Sequence, residues 1–109
     1  MKDHRLIDER SLALGAAIAR GLEDHPSWIP HAQQTLERWL VTADPRVRPA
    51  LLEWRALLSG PVADLIVVLT GPDERSMRLR QSNPFAGVLP ISERNEIFRR
   101  FARHESVST

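Results

Sequence analysis

Apolar residues recur every three to four positions along most of the chain, which is the spacing of one face of an α-helix. Three long segments with this pattern come first, and each ends at a stretch that contains proline. Their apolar positions are Ile7, Leu14, Ile18 and Leu22 in the first, Ile29, Ala32, Leu36, Trp39, Leu40 and Ala43 in the second, and Val47, Leu51, Trp54 and Leu58 in the third. The pattern predicts three helices, with Ser27 as the N-cap of the second and with Trp39 and Trp54 facing the core.

Residues 61–70 are ambiguous. The run VADLIVVLT holds β-branched residues and has the length of a buried strand. No second run of this kind exists to pair with it, and an unpaired strand would leave its backbone groups without hydrogen bonds. Pro61 at the first helical position and Gly71 after the last one suit a short, buried helix, which is the interpretation we favour.

Two further helices are predicted in the last third. One starts at residues 72–74, where acidic residues favour the positive end of a helix, and runs to about Gln81. The other starts at Ser92, and residues 105–109 should form a frayed tail. We therefore predict an all-α fold: residues 1–109 form a single compact bundle of about six helices, with a stiff loop of proline, glycine and apolar residues before the last helix.

Composition narrows the class of protein. Of the 109 residues, 42% are hydrophobic and 27% are charged, which is ordinary for one globular domain. The chain has no cysteine, which excludes disulfides, thiolate catalysis and cysteine-containing zinc sites. The most apolar run, residues 65–69, is too short to cross a bilayer, and the first twenty residues lack the pattern of a signal peptide. We expect a cytoplasmic protein that has no association with a membrane.

Side chains capable of catalysis or metal binding are scattered. The four histidines show no H-E-x-x-H pattern, and no glycine-rich phosphate loop is present. His25 and His31 flank the first helix break and could approach each other, but only Glu23 and Asp24 are acidic neighbours. We therefore predict no catalytic residue, no metal site, no cofactor and no enzymatic activity.

Basic residues are concentrated at the C-terminal end, where residues 75–109 contain seven arginines against three glutamates. Such a surface would attract phosphate, so a transcriptional regulator that binds nucleic acid is one hypothesis. Its candidate contacts are Arg94, Arg99, Arg100 and Arg103. The other interpretation is that these arginines interact with helix dipoles and keep a helical domain soluble.

The segment RLRQSNPFAGVL, residues 78–89, places apolar residues where a loop is expected. Pro84 and Pro90 restrict the backbone, and Gly87 would supply a positive φ. The apolar residues of this stiff loop either close the core or anchor a partner protein, and the sequence leaves both open. The candidate partner-binding residues are Arg78, Arg80, Ser82, Asn83, Pro84, Phe85 and Leu89. Surplus apolar residues on the helices, Leu12, Trp28 and Leu52, would also permit a homodimer.

Together with RLIDERSLAL (residues 5–14) and LLEWRALLSGP (residues 51–61), this segment resembles a family of short bacterial proteins with the motif R-L-R-Q-S-S/N-P-F-A-G-V-L. The resemblance covers most of the chain. It implies an antitoxin-like protein, encoded beside a nucleotidyltransferase-like toxin, that covers the active site of that enzyme. Our leading hypothesis is therefore a non-enzymatic protein-interaction module, with nucleic-acid binding as the alternative.

Overall fold

The computed structural model describes residues 2–85 and 87–107, with side chains described for residues 7–85 and 87–101. Its elements are six helices: α1 Lys2–Leu22, α2 Trp28–Val41, α3 Arg48–Leu58, α4 Val62–Thr70, α5 Glu74–Arg80 and α6 Ile91–Val107. The described residues contain no strand, so the all-α prediction is confirmed. The segment with ambiguous propensity is helical from residue 62 to residue 70.

The helix ends follow the sequence signals in part. Asp73 is the N-cap of α5, and its carboxylate accepts hydrogen bonds from the backbone N–H of Ser76 at 3.2 Å and from its hydroxyl at 2.7 Å. Pro61 is the N-cap of α4 rather than its first helical residue. Ser27 lies at the predicted N-cap position of α2 but does not act as a cap. It already has helical φ and ψ, and its side chain makes no capping hydrogen bond.

Helix α1 packs against α4, α5 and α6, and α3 packs against α2, α4 and α5. The apolar stripes meet at one core. Its largest fully buried side chains are Trp54, Phe85, Ile18, Leu36, Leu65, Leu69, Leu79 and Val68. The core thus takes side chains from all the predicted stripes and also from the loop between α5 and α6.

Close approach between α1 and α4 depends on Gly15. A Cβ atom at this position would collide with the backbone carbonyl oxygen of Leu69 and would lie 3.2 Å from Cδ of Arg80. Gly15 itself is buried. The missing side chain therefore lets the C-terminal end of α4 and the side chain of Arg80 lie directly on α1.

Some side chains differ from their predicted positions. Trp39 was expected in the core but is 38% exposed, and Val47 is 42% exposed. Trp28, expected to be hard to bury, is half-buried; its ring packs over Gly21 and stacks on His25 at a centroid distance of 4.6 Å. Leu52 is 41% exposed, as its position off the stripe suggested.

Helix α6 differs from its prediction at its start. It begins at Ile91, so Ser92 lies inside it rather than capping it. The helix extends to Val107, and fraying of residues 105–109 stays a prediction. Residues 108 and 109 of that tail lie outside the described residues.

We predict that Gly15→Ala destabilises the protein by about 1–3 kcal/mol, because α1 must move away from the backbone of α4 and this outweighs the better helix propensity of alanine. Urea unfolding followed by circular dichroism measures the change. Gly60→Ala is the control: the nearest atoms to its added Cβ are 3.5 Å away, and we expect it to be neutral or stabilising by up to about 1 kcal/mol. Equal effects of the two substitutions would contradict the close contact.

Candidate functional site

Helix α5 is held to α3 by a buried hydrogen bond. The indole Nε1 of Trp54 donates to the carbonyl oxygen of Leu79 at 2.7 Å. This carbonyl lies in the last turn of α5 and also accepts from the backbone N–H of Ser82 at 3.0 Å. The bond from Trp54 therefore satisfies a buried indole N–H and ties the last turn of α5 to α3.

The loop after α5 folds inward. The side-chain oxygen of Asn83 accepts a hydrogen bond from the backbone N–H of Phe85 at 2.9 Å, which closes a tight turn. Phe85 is fully buried, and its ring meets that of Trp54 edge-to-face, with centroids 6.3 Å apart. Pro84 and Leu89 are buried as well. The question that the sequence left open is thus answered in favour of packing into the core.

Gly87 does not have the predicted conformation. Its φ is not positive, and a Cβ at this position would meet nothing within 4 Å. The turn is made instead by the Asn83 side chain and by the hydrogen bond from the N–H of Val88 to the carbonyl oxygen of Phe85 at 3.0 Å. Gly87 is therefore an exposed residue, and its backbone conformation does not require glycine.

Arg80 caps the C-terminal end of α4. Its Nη1 donates to the carbonyl oxygens of Val68 at 2.7 Å and Gly71 at 2.8 Å, and only 4% of the residue is exposed. The positive charge faces the negative end of the α4 dipole. Burial lowers the pKa of Arg80 from its ordinary value, and the carboxylates of Asp73 and Asp8 oppose that shift. An arginine remains charged at neutral pH.

Arg78 points the other way, to the surface. Its Nη2 donates to Glu53 at 3.0 Å, and Arg75 donates to the other oxygen of the same carboxylate at 3.4 Å. All three side chains are substantially exposed. Such exposed pairs add little stability, but this one ties the outer face of α5 to α3.

The seven predicted partner-binding residues therefore divide into two groups. The side chains of Arg80, Pro84, Phe85 and Leu89 are buried and hold the loop from within. Of the others, Arg78 is exposed but ion-paired, whereas Ser82 and Asn83 are half-buried. Ser82 and Asn83 are therefore motif residues with partly exposed side chains, and neither is engaged in an ion pair.

Ser82 and Asn83 lie at one end of a cleft of about 440 Å³. The cleft runs between α1, the connection from α2 to α3, and the end of α5. Its apolar walls are Leu14, Trp39, Val47 and Leu51, and Arg80 also lines it. Polar side chains also line the cleft: Ser11 on α1, Thr42 and Asp44 in the connection from α2 to α3, and Gln81, Ser82 and Asn83 after α5. Apolar walls with several polar groups are typical of a binding cleft.

The sequence did not indicate the contribution of Trp39 and Val47 to this cleft. Both continue helical stripes that were assigned to the core, and both lie near the break between α2 and α3. The break itself, residues 42–47, was the feature of the sequence that could have indicated their exposure. At the end of a helix, the apolar stripe can extend beyond the neighbouring helix that covers the rest of it.

The basic end is arranged around Phe98. The guanidinium carbon of Arg10 lies 5.4 Å from the centroid of this ring and that of Arg94 lies 5.9 Å away. Nε of Arg94 is buried and has no hydrogen-bond partner among the described residues. Arg99 is paired with Glu96 at 2.9 Å. Arg100 is exposed, and the side chain of Arg103 lies outside the described residues.

Within the described part of the chain, no group of three or more His, Asp or Glu side chains is placed to hold a metal ion. The ring of His25 stacks on that of Trp28.

None of the described helices combines the length and apolar character needed to cross a bilayer. A second apolar surface lies on α4, where Val62, Ile66 and Val67 are exposed; the predicted homodimer stays a prediction.

Comparison of the chain with protein-family models, with curated proteins and with solved structures found no match. The resemblance carried by residues 78–89 therefore stays a prediction.

We predict that Arg80→Met destabilises the protein by about 3 kcal/mol, because two buried carbonyl oxygens lose charged donors. Thermal and urea unfolding measure the effect. Arg78→Met, two residues earlier on the same helix, is the control, and we expect it to change the free energy of unfolding by less than about 1 kcal/mol. A reversed order of the two variants would show that Arg80 does not cap α4.

Proposed function

We propose that this chain is a non-enzymatic protein-interaction module that docks an apolar segment of a partner protein in the cleft. The observation that carries the proposal is the exposure of Trp39 and Val47 on the walls of that cleft. A helical domain of this size has enough core to bury such side chains. Leaving a tryptophan half open to water forgoes hydrophobic stabilisation that a partner can recover.

Tryptophan is the residue type most enriched among interface side chains that dominate binding energy. Trp39 suits this role because the cleft offers flanking apolar surface in Leu14 and Leu51 and a polar rim in Ser82 and Asn83. An apolar centre with a polar rim is the usual anatomy of a protein interface. The buried half of the motif contributes indirectly, because Arg80 and Phe85 fix the loop that forms the rim.

The finer proposal is an antitoxin-like neutraliser of a partner enzyme, and its support is the resemblance of residues 5–14, 51–61 and 78–89 to short bacterial proteins of that kind. In this proposal the domain inhibits sterically, by covering the active site of a nucleotidyltransferase-like toxin. Arg78 does not line the cleft, but its exposed side chain on the same helix adds a charged group that the partner can reach. It is free to exchange its exposed Glu53 partner for an acidic group of the toxin.

The test is co-expression with the product of the adjacent gene, followed by co-purification and calorimetry. We expect a complex of micromolar or tighter affinity, and Trp39→Ala should weaken it by about 30-fold, the loss that defines an interface hot spot. Val41→Ala is the control, since Val41 is 82% exposed on the same helix and lies outside the cleft; it should leave affinity within about threefold. No complex, or equal losses in both variants, would contradict the proposal.

A second candidate function is supported by the arrangement around Phe98. Arg10 and Arg94 approach the same ring and form no ion pair with a carboxylate of the described residues. Two cations against one ring that form no ion pair with the described carboxylates favour a phosphate nearby. This arrangement is the specific support for the nucleic-acid-binding alternative.

If nucleic acid is bound there, affinity for a fluorescein-labelled DNA duplex should fall steeply with salt, and Arg94→Gln should reduce the slope of log K against log salt by about 1. Fluorescence anisotropy measures both. Arg46→Gln is the control, because Arg46 is paired with Asp44 in the α2–α3 connection. A flat salt dependence, or equal slopes in the two variants, would dismiss this candidate.

A further inference from the structure

The charged groups on the cleft walls are unequally paired. Asp44 forms an ion pair with Arg46 at 3.2 Å. Arg80 forms no ion pair with any carboxylate of the described residues. Two carbonyl oxygens accept from its Nη1, but its Nε is buried and has no hydrogen-bond partner among the described residues. At the end of α5 the cleft is therefore lined by a buried cation that has no carboxylate of the described residues in contact with it.

A charge buried in this way acts over a longer range than one in water, because little solvent screens it. Asp73 and Asp8 influence Arg80 electrostatically, yet neither lines the cleft. The carboxylate of Asp44 also lines the cleft, but it is paired with Arg46. The charge of Arg80 thus favours a negatively charged occupant near the end of α5.

Hydrogen-bond donors are present at the same end. Ser82 offers a hydroxyl, and Asn83 offers its side-chain NH₂ because its oxygen is already engaged by the N–H of Phe85. A carboxylate can accept bonds from both donors. The apolar walls, Trp39 and Val47 among them, take a hydrocarbon group beside it.

We propose that the cleft is a receptor for an acidic–apolar peptide segment: one aliphatic side chain lies against Trp39 and Val47, and the carboxylate of a neighbouring Asp or Glu accepts hydrogen bonds at the Arg80 end. This inference rests on the proposed protein-interaction function and specifies the chemistry of the partner. A segment of a protein suits the cleft better than a free metabolite does, because Trp39 and Val47 are open to solvent at its mouth and a larger partner would cover them.

The test uses the ¹⁵N-labelled full chain and two matched probes, N-acetyl-Leu-Glu-amide and N-acetyl-Leu-Gln-amide, which differ only in the charged group. We expect shifts of the Trp39 indole N–H and of the Ser82 and Asn83 amides in the NMR spectrum. The glutamate probe should bind about tenfold more tightly than the glutamine probe, as one charge-assisted contact predicts.

Asn83→Asp separates the charge effect from folding. Aspartate keeps the side-chain oxygen that accepts from Phe85 and so preserves the turn, but it places a negative charge beside the proposed carboxylate. We expect the glutamate probe to lose its advantage, with binding of the glutamine probe unchanged. Arg80→Met should also remove the advantage wherever that variant stays folded.

The proposal is overturned if neither probe shifts these resonances, if the two probes bind equally, or if Asn83→Asp leaves their ratio unchanged. Tighter binding of 4-methylpentanoate than of the glutamate peptide would assign the site to a free carboxylate and also overturn it. If the probes bind equally but the partner complex still depends on Trp39, this inference fails and the proposed function stands. If the charged probe is preferred but no partner complex forms, the proposed function fails and the chemistry inferred for the cleft stands.

Discussion

The contact on which this fold most depends is between the guanidinium of Arg80 and the end of α4. Two carbonyl oxygens that α4 cannot satisfy receive their hydrogen bonds from α5. The contact fits because Gly15 leaves room on α1 for both the helix end and the arginine side chain. One buried side chain thus links α1, α4 and α5. The same link sets the wall of the cleft, so the core and the candidate site share one constraint.

The loop after α5 contributes both to the core and to the cleft within a few residues. Its inward side, with Pro84, Phe85 and Leu89, closes the core against Trp54, while Ser82 and Asn83 border the cleft. A tight turn held by the Asn83 side chain separates the two sides. This explains why a connecting segment is so apolar and so stiff: a precise rim needs a rigid support, and rigidity lowers the entropy lost when a partner docks.

Helix positions were largely predictable because each depends on local sequence: periodic apolar residues, prolines near the breaks and the acidic residues at the start of α5. Even α4 was assigned correctly, since no strand existed to pair with it. Trp39 and Val47 were assigned wrongly to the core. Periodicity shows which residues share a face of a helix, but it does not show how far the neighbouring helix extends along that face. The burial of Arg80 could not be predicted either. Arg80 lies in a basic segment, and no feature of the local sequence shows whether its side chain is on the surface or caps another helix.

By itself, the sequence determined that this protein is helical, where its helices break, and that residues 83–90 form a stiff apolar connection, because these properties arise from neighbours along the chain. Tertiary structure decided which way that connection faces, which cation is buried and where an apolar cleft stays open. Those outcomes depend on contacts between residues far apart in sequence, such as Trp54 with Leu79 and Arg80 with Val68. Contacts of this kind are selected by the packing of whole helices, which no single segment encodes.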